Sequence, residues 1–278
     1  MKLVAALATA GTLALGGSTA VAPPRLLAAP GCPVFPASNA WNQRIDGLPV
    51  RLDSAALIAA IGAGTGLHAD FGSGLYDGSP IGIPFNVVRG TQAKVRIARF
   101  DYADESDKGP YPIPARPRLE GGSDRHLLLV DRDACRLYEL FAAEHTAAGW
   151  TAGSGAIWNL RSNRQRPAGW TSADAAGLPI LPGLARWDDL ATGGIQHALR
   201  FTVARTRRAF IAPARHFASS STDSSLPPMG MRVRLKASFD TSGFPPQARA
   251  VLEALKRYGM ILADNGSSWY VTGAPDPH

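Results

Sequence analysis

The sequence predicts a mainly β protein: a single-domain β-barrel or β-sandwich with a short N-terminal helix and one C-terminal helix. Three observations carry this expectation. Glycine and proline are plentiful and scattered (29 and 22 of 278 residues), which favours short elements joined by turns. Strand-length apolar or alternating runs recur through the middle of the chain. Helical periodicity is confined to residues 53–61 and 245–258.

The chain opens with a targeting pattern. Lys2 precedes a small apolar run over 3–17, and Ala20-Val-Ala22 suits cleavage. A signal peptide is expected over 1–28, cut after Ala20 or nearer Ala28. The run is too short and too rich in alanine and glycine for a membrane span. The mature protein, residues 29–278, is therefore expected outside the cell or in the periplasm, with no membrane attachment. Export places the only two cysteines, Cys32 and Cys135, where a disulfide bond forms. Closing so long a loop is worth roughly 4 kcal/mol by chain entropy. Two buried free thiols fit an exported chain less well.

Residues 33–49 hold three prolines and read as extended chain. Residues 53–61 read as a helix capped by Asp53 and ended by Gly62 and Gly64. His68 follows in a glycine-rich loop. Residues 83–88 and 94–100 look like strands. Asp101, Asp104, Glu105 and Asp107 then crowd one loop. Such a loop binds a cation, supplies catalytic acids or is merely solvated; its spacing is not that of an EF-hand. Residues 125–130 and 135–141 form a hairpin that puts His126 on the face of Leu128 and Val130. Glu139 is expected to face a cleft or solvent. Residues 150–160 read as a strand whose Gly153 and Gly155 mark a bulge or a close backbone approach.

Residues 161–190 are irregular, and a loop this long points to function. It carries Asp174, Asp188, Trp170 and Trp187, the tryptophans suited to stacking on sugar or to core packing. The runs 197–203 and 210–216 then alternate around Arg205-Thr-Arg-Arg208. Paired as a hairpin, they place His197 opposite His216, Leu199 opposite Ala214, Phe201 opposite Ala212 and Val203 opposite Phe210, all on one face. A strand is expected over 231–239, with Val233, Leu235, Ala237 and Phe239 inward and Arg232, Arg234 and Lys236 outward. The C-terminal helix starts at the Pro245-Pro246 pair and buries Ala248, Val251, Leu252 and Leu255. A last hairpin is expected about Asn265-Gly266.

The formal charge is +7, and only five of the 29 basic residues are lysine. Attraction to polyanions is one reading. No block of like charges occurs, so arginines spread over a surface are the plainer reading and no nucleic-acid partner is expected. The serine-nucleophile elbow, the phosphate loop, the zinc-protease His-Glu pair and the dinucleotide fingerprint are all missing.

The candidate catalytic set is His197 and His216 with Asp104, Glu105 and Asp174. Trp170, Trp187, Arg200 and Arg215 complete it as substrate-binding residues. Two carboxyl groups flanking a glycosidic bond, oriented by histidine, suit a secreted glycoside hydrolase or polysaccharide lyase acting on an extracellular or cell-wall polysaccharide. A non-catalytic glycan-binding β domain is the alternative. A further alternative is a divalent metal held by His197, His216 and His126 or a carboxylate. Otherwise no cofactor is expected, and the protein is expected to be a monomer. Against all of these stands the plain possibility of two satisfied histidines closing an apolar face.

Several strings carry a resemblance: Gly169-Trp-Thr-Ser-Ala-Asp-Ala-Ala-Gly-Leu-Pro-Ile-Leu-Pro-Gly-Leu184, His197-Ala-Leu-Arg-Phe-Thr-Val203 and Arg234-Leu-Lys-Ala-Ser-Phe-Asp240. So do Tyr102-Ala-Asp-Glu-Ser-Asp107, Pro227-Pro-Met-Gly230 and Tyr258-Gly-Met-Ile-Leu-Ala-Asp-Asn-Gly266. Across nearly the whole mature length the chain resembles a group of secreted, mostly bacterial proteins. The resemblance implies a single exported domain and assigns no catalytic residue.

Overall fold

Two open sheets hold the chain together. The computed structural model describes residues 22–76 and 78–278. The first twenty-one residues of the expected leader lie outside them. The first sheet has four strands in the order Ser154–Asn159, Arg136–Phe141, Leu127–Asp131, Phe85–Val88. The expected hairpin is its centre, with Leu128 opposite Glu139 and Val130 opposite Leu137. Alternation sorts its side chains between two cores. Leu128, Val130, Leu137, Ala156 and Trp158 enter one cluster, while Leu127, Leu129, Tyr138 and Leu140 enter another with Tyr111 and Ile113. The sheet is thus covered on both faces, which accounts for the continuous apolar run Leu127-Leu-Leu-Val130.

The second sheet has five strands in the order Arg232–Val233, Met260–Asn265, Leu199–Val203, Tyr270–Thr272, His68–Asp70. Three expectations fail here. Leu199–Val203 does not pair with residues 210–216. It lies between Met260–Asn265, to which it runs parallel, and Tyr270–Thr272, to which it runs antiparallel. Residues 210–216 carry no strand, and Phe210 makes only an isolated bridge to Met229. The Asn265-Gly266 hairpin fails for the same reason, since Leu199–Val203 separates its two arms. Of the expected strand over 231–239 only Arg232–Val233 pairs. Pairing with neighbours distant in sequence overrides these local signals. Likewise only Arg99–Phe100 of the run 94–100 is strand, and residues 150–160 split into Gly149–Ala152 and Ser154–Asn159. The split falls at Gly153, where a Cβ would come 2.6 Å from the Phe141 ring. Among the described residues no sheet closes into the barrel that was one expectation.

Helix α1 (Ser54–Ile61) and helix α3 (Pro246–Arg257) form where expected, and a short α2 (Trp187–Ala191) joins them. Asp53 does not cap α1, because its carboxylate is taken by Arg51 at 2.7 and 2.9 Å. Cys32 and Cys135 form the expected disulfide, tying the N-terminal arm to the turn of the central hairpin. The arm begins early: Arg25–Leu26 pairs with Ala29–Pro33, and Leu26 is 2% exposed. No helix among the described residues is long and apolar enough to cross a membrane.

The segment over 171–186 is shared between the two large cores. Ala176, Leu178 and Ala185 pack with the five-stranded sheet, whereas Ala173, Ile180, Leu181 and Leu184 pack with the four-stranded one. A buried irregular backbone must have its polar groups satisfied by side chains. Glu139 accepts from the Ile180 and Leu181 N–H groups at 2.9 Å and from the Trp158 indole at 3.2 Å. His126 Nε2 meets the Ala173 carbonyl at 3.0 Å, and Ser154 donates to the Ser172 carbonyl at 2.6 Å. Glu139, expected toward a cleft or solvent, is 0% exposed.

Candidate functional site

The buried ion pairs of this segment decide what its neighbours can do chemically. Arg200 lies on Leu199–Val203 and is buried. Its guanidinium grips Asp174 through two parallel bonds of 2.8 Å and donates to Thr272 at 2.8 Å. Its Nη2 also lies 3.2 Å from Asp264, the carboxyl near the end of Met260–Asn265. One cation thus faces two carboxyl groups. Asp174 takes the bidentate pairing, and Asp264 is left with the weaker contact. Burial and the adjacent Asp174 carboxylate push Asp264 up to about 7, against the pull of Arg200.

Asp264 lines an open cleft of about 500 Å³, together with Glu105, His216, Tyr102, Arg208 and Phe217. Glu105 ends a 3-10 turn over Ala103–Glu105 and accepts the Thr171 N–H at 2.7 Å. His216 Nε2 lies 4.0 Å from Glu105, and its Nδ1 lies 2.8 Å from the Ala175 carbonyl. A carbonyl only accepts, so Nδ1 carries the proton and Nε2 is the nitrogen free for chemistry. The side chains of His216, Asp264 and Glu105 are 23, 24 and 33% exposed, open enough to meet a ligand. Together they supply two carboxyl groups and an imidazole along one open cleft.

The other sequence candidates divide. His197 is not opposite His216. It is 1% exposed; its Nδ1 meets the Ala198 carbonyl at 2.8 Å, and its Nε2 lies 2.9 Å from Arg186 and 3.1 Å from Asp189. Burial works against the charge of Asp189, but Arg186 and His197 hold its carboxyl below the ordinary value. His197 is therefore a satisfied core histidine. Asp174 lines the cleft but is buried and committed to Arg200, and Arg200 is correspondingly unable to reach a ligand. Asp104 is exposed on the turn and does not line the cleft. Trp170 and Trp187 do not line it either. Arg166 lies 5.4 Å over the Trp170 ring. Trp187 stacks on His278 at 4.6 Å beside an apolar groove against α3. Arg215 donates to the Arg166 carbonyl and lines a separate cavity with Trp41 and Trp158.

Among the described residues no three histidine, cysteine or carboxylate side chains converge as a metal set. The proposed triad of His197, His216 and His126 is dispersed. His126 is engaged by Glu120; burial disfavours its charge, but Glu120 prevails and pushes it up to about 9.

The sequence missed Asp264, which reads as part of an Asn-Gly turn. Its position immediately after the apolar run Met260-Ile-Leu-Ala263 was the available signal, since a carboxyl there caps a buried strand. No family model, curated protein or solved structure matches this chain.

Proposed function

We propose that this protein is an exported enzyme that cleaves the glycosidic bonds of a polysaccharide, with Asp264 as proton donor and Glu105 as the second carboxylate. The observation that carries the reading is the pairing of these two acids in one open cleft, in unlike surroundings. Glycosidic cleavage needs one carboxyl that gives a proton to the departing oxygen and one that acts on the opposite face of the sugar. Asp264, crowded by Asp174 and largely desolvated, keeps a proton near neutral pH. Glu105 is more open and is held in place by the Thr171 N–H. His216 is a positioning residue that acts through Glu105. Export agrees with the leader-like first residues, with the disulfide and with the resemblance of the chain to secreted proteins. The same reading takes the two large sheets as the halves of a sandwich filled by residues 171–186.

The test is release of reducing or unsaturated ends from a panel of polysaccharides by the purified mature protein. Asp264→Asn and Glu105→Gln are expected to lower kcat by roughly a hundredfold or more while remaining folded. Because the donor must hold its proton, kcat falls as pH rises through about 7 in the wild type. His216→Ala is expected to change the pH profile more than KM. Full activity in both carboxyl variants overturns the assignment. No product from any glycan overturns catalysis and leaves a binding domain.

A further inference from the structure

Resting on the reading of this cleft as a glycan site, we propose that Arg208 makes it selective for sugars that bear a carboxylate, the uronates. The cationic side chains around the cleft differ in how far they are committed. Arg200 is held by Asp174. Arg166 donates to Asp107 and to the Glu105 and Thr171 carbonyls. Arg215 is turned to the Arg166 carbonyl. Arg208 is different: its exposed guanidinium has no hydrogen bond or ion pair among the described residues, and it lies 5.6 Å over the ring of Phe217.

Its position is nevertheless fixed. Its backbone N–H binds the Ser221 carbonyl at 2.6 Å. Phe217 is parallel to His216, with centroids 5.6 Å apart and planes at 1°, and stacks on Phe210 at 6.4 Å. The result is a flat aromatic shelf with a cation laid on it, beside the two acids. A cation–π contact of this kind leaves the guanidinium's N–H donors free. Those donors match a carboxylate in bidentate fashion, which a lysine ammonium does not.

The charges facing Arg208 across the cleft permit an anion. Asp174 is neutralised by Arg200, and Asp264 is the proton-bearing acid of the pair, which leaves Glu105 as the negative group. Beyond the cleft, the net positive charge of the chain, which persists without the expected leader's Lys2 and Arg25, suits an anionic polymer. A substrate carboxylate seated on Arg208 would place the sugar ring over the aromatic shelf and its glycosidic bond toward Glu105 and Asp264.

The experiment compares initial rates on uronate polymers (polygalacturonate, alginate, hyaluronan) with rates on their methyl-esterified forms and on neutral xylan and β-glucan. Wild type, Arg208→Gln and Arg208→Lys are assayed, each with a melting curve. The expected result is cleavage of a uronate polymer with KM raised at least tenfold in Arg208→Gln and only partly restored in Arg208→Lys. Esterification or added salt should raise the wild-type KM in the same direction. Cleavage of neutral glycans at matching rates, with the Arg208 variants unchanged, overturns the selectivity and leaves the hydrolytic reading standing. If no glycan is cleaved, calorimetry with an oligouronide separates the two claims. Arg208-dependent binding upholds carboxylate recognition and removes catalysis, whereas no binding removes both.

Discussion

Arg200→Met tests the electrostatic core of the site. Arg200 gives two 2.8 Å bonds to Asp174, one to Thr272 and a 3.2 Å contact to Asp264, all from a buried position. Methionine keeps much of the volume and removes the charge. Two carboxyl groups then face each other without a cation. Breaking one partner out of a buried ion pair costs about 3–5 kcal/mol. The deficit depends on pH in a defined direction. In the folded wild type Asp264 is raised above the ordinary aspartate value. Its contribution to stability is therefore fully present below about pH 4 and lost as pH rises through about 7. Without Arg200 the pull that opposes this rise is gone, so Asp264 rises further and the variant loses more on the alkaline side. Near pH 4.5 Asp264 holds its proton, one of the two negative charges facing the vacated position is gone, and the deficit shrinks. Urea unfolding followed by tryptophan fluorescence at pH 4.5 and 7.5 reads both values. A deficit under about 1 kcal/mol at pH 7.5, or one equal at both pH values, refutes the reasoning. Arg200→Met combined with Asp174→Asn should lose less than the two single changes together.

Two further outcomes follow from the fold. Glu139→Leu orphans the Ile180 and Leu181 N–H groups and the Trp158 indole, and should cost at least about 3 kcal/mol in urea unfolding; a loss under 1 kcal/mol would show that residues 171–186 do not depend on that carboxyl. Cys32→Ser with Cys135→Ser should lower stability by about 2–5 kcal/mol and leave glycan cleavage measurable, and an unchanged melting temperature in the double variant would count against a supporting role for the bridge.

What the sequence made legible was local. Helix α3 announced itself by proline at its start and an apolar stripe, and the hairpin of Leu127–Asp131 with Arg136–Phe141 by a turn between two apolar runs. The disulfide followed from there being only two cysteines in a chain whose first residues read as a leader. The five-stranded sheet was not legible, because its central strand is inserted between two strands that come only at Met260–Asn265 and Tyr270–Thr272. A hairpin is the cheapest pairing for neighbouring strands, and Asn265-Gly266 is a good turn, yet burial of Leu199, Phe201 and Val203 on one face and of Arg200 and Thr202 on the other favoured the central position. No local signal reports that competition.

The two histidines show how the same limit applies to the site. Both stand at the edge of an apolar run, and both bind a backbone carbonyl through Nδ1. What separates them is the second nitrogen. That of His197 ends on Arg186 and Asp189 in a sealed core, whereas that of His216 opens toward Glu105 and the cleft. The difference is made by α2, which brings Asp189 over His197, and by the turn over Ala103–Glu105, which sets Glu105 4.0 Å from His216 at the cleft. Asp174 and Asp264 divide in the same way around Arg200: the acid with the better grip on the guanidinium is committed to it, and the other is left facing the cleft. In this chain the segment over 171–186 and its buried charges consume most of the polar side chains that looked catalytic. On the reading proposed above, the chemistry would fall to Asp264, Glu105 and His216 along the edge of that segment, the last two held there by its backbone at Thr171 and Ala175.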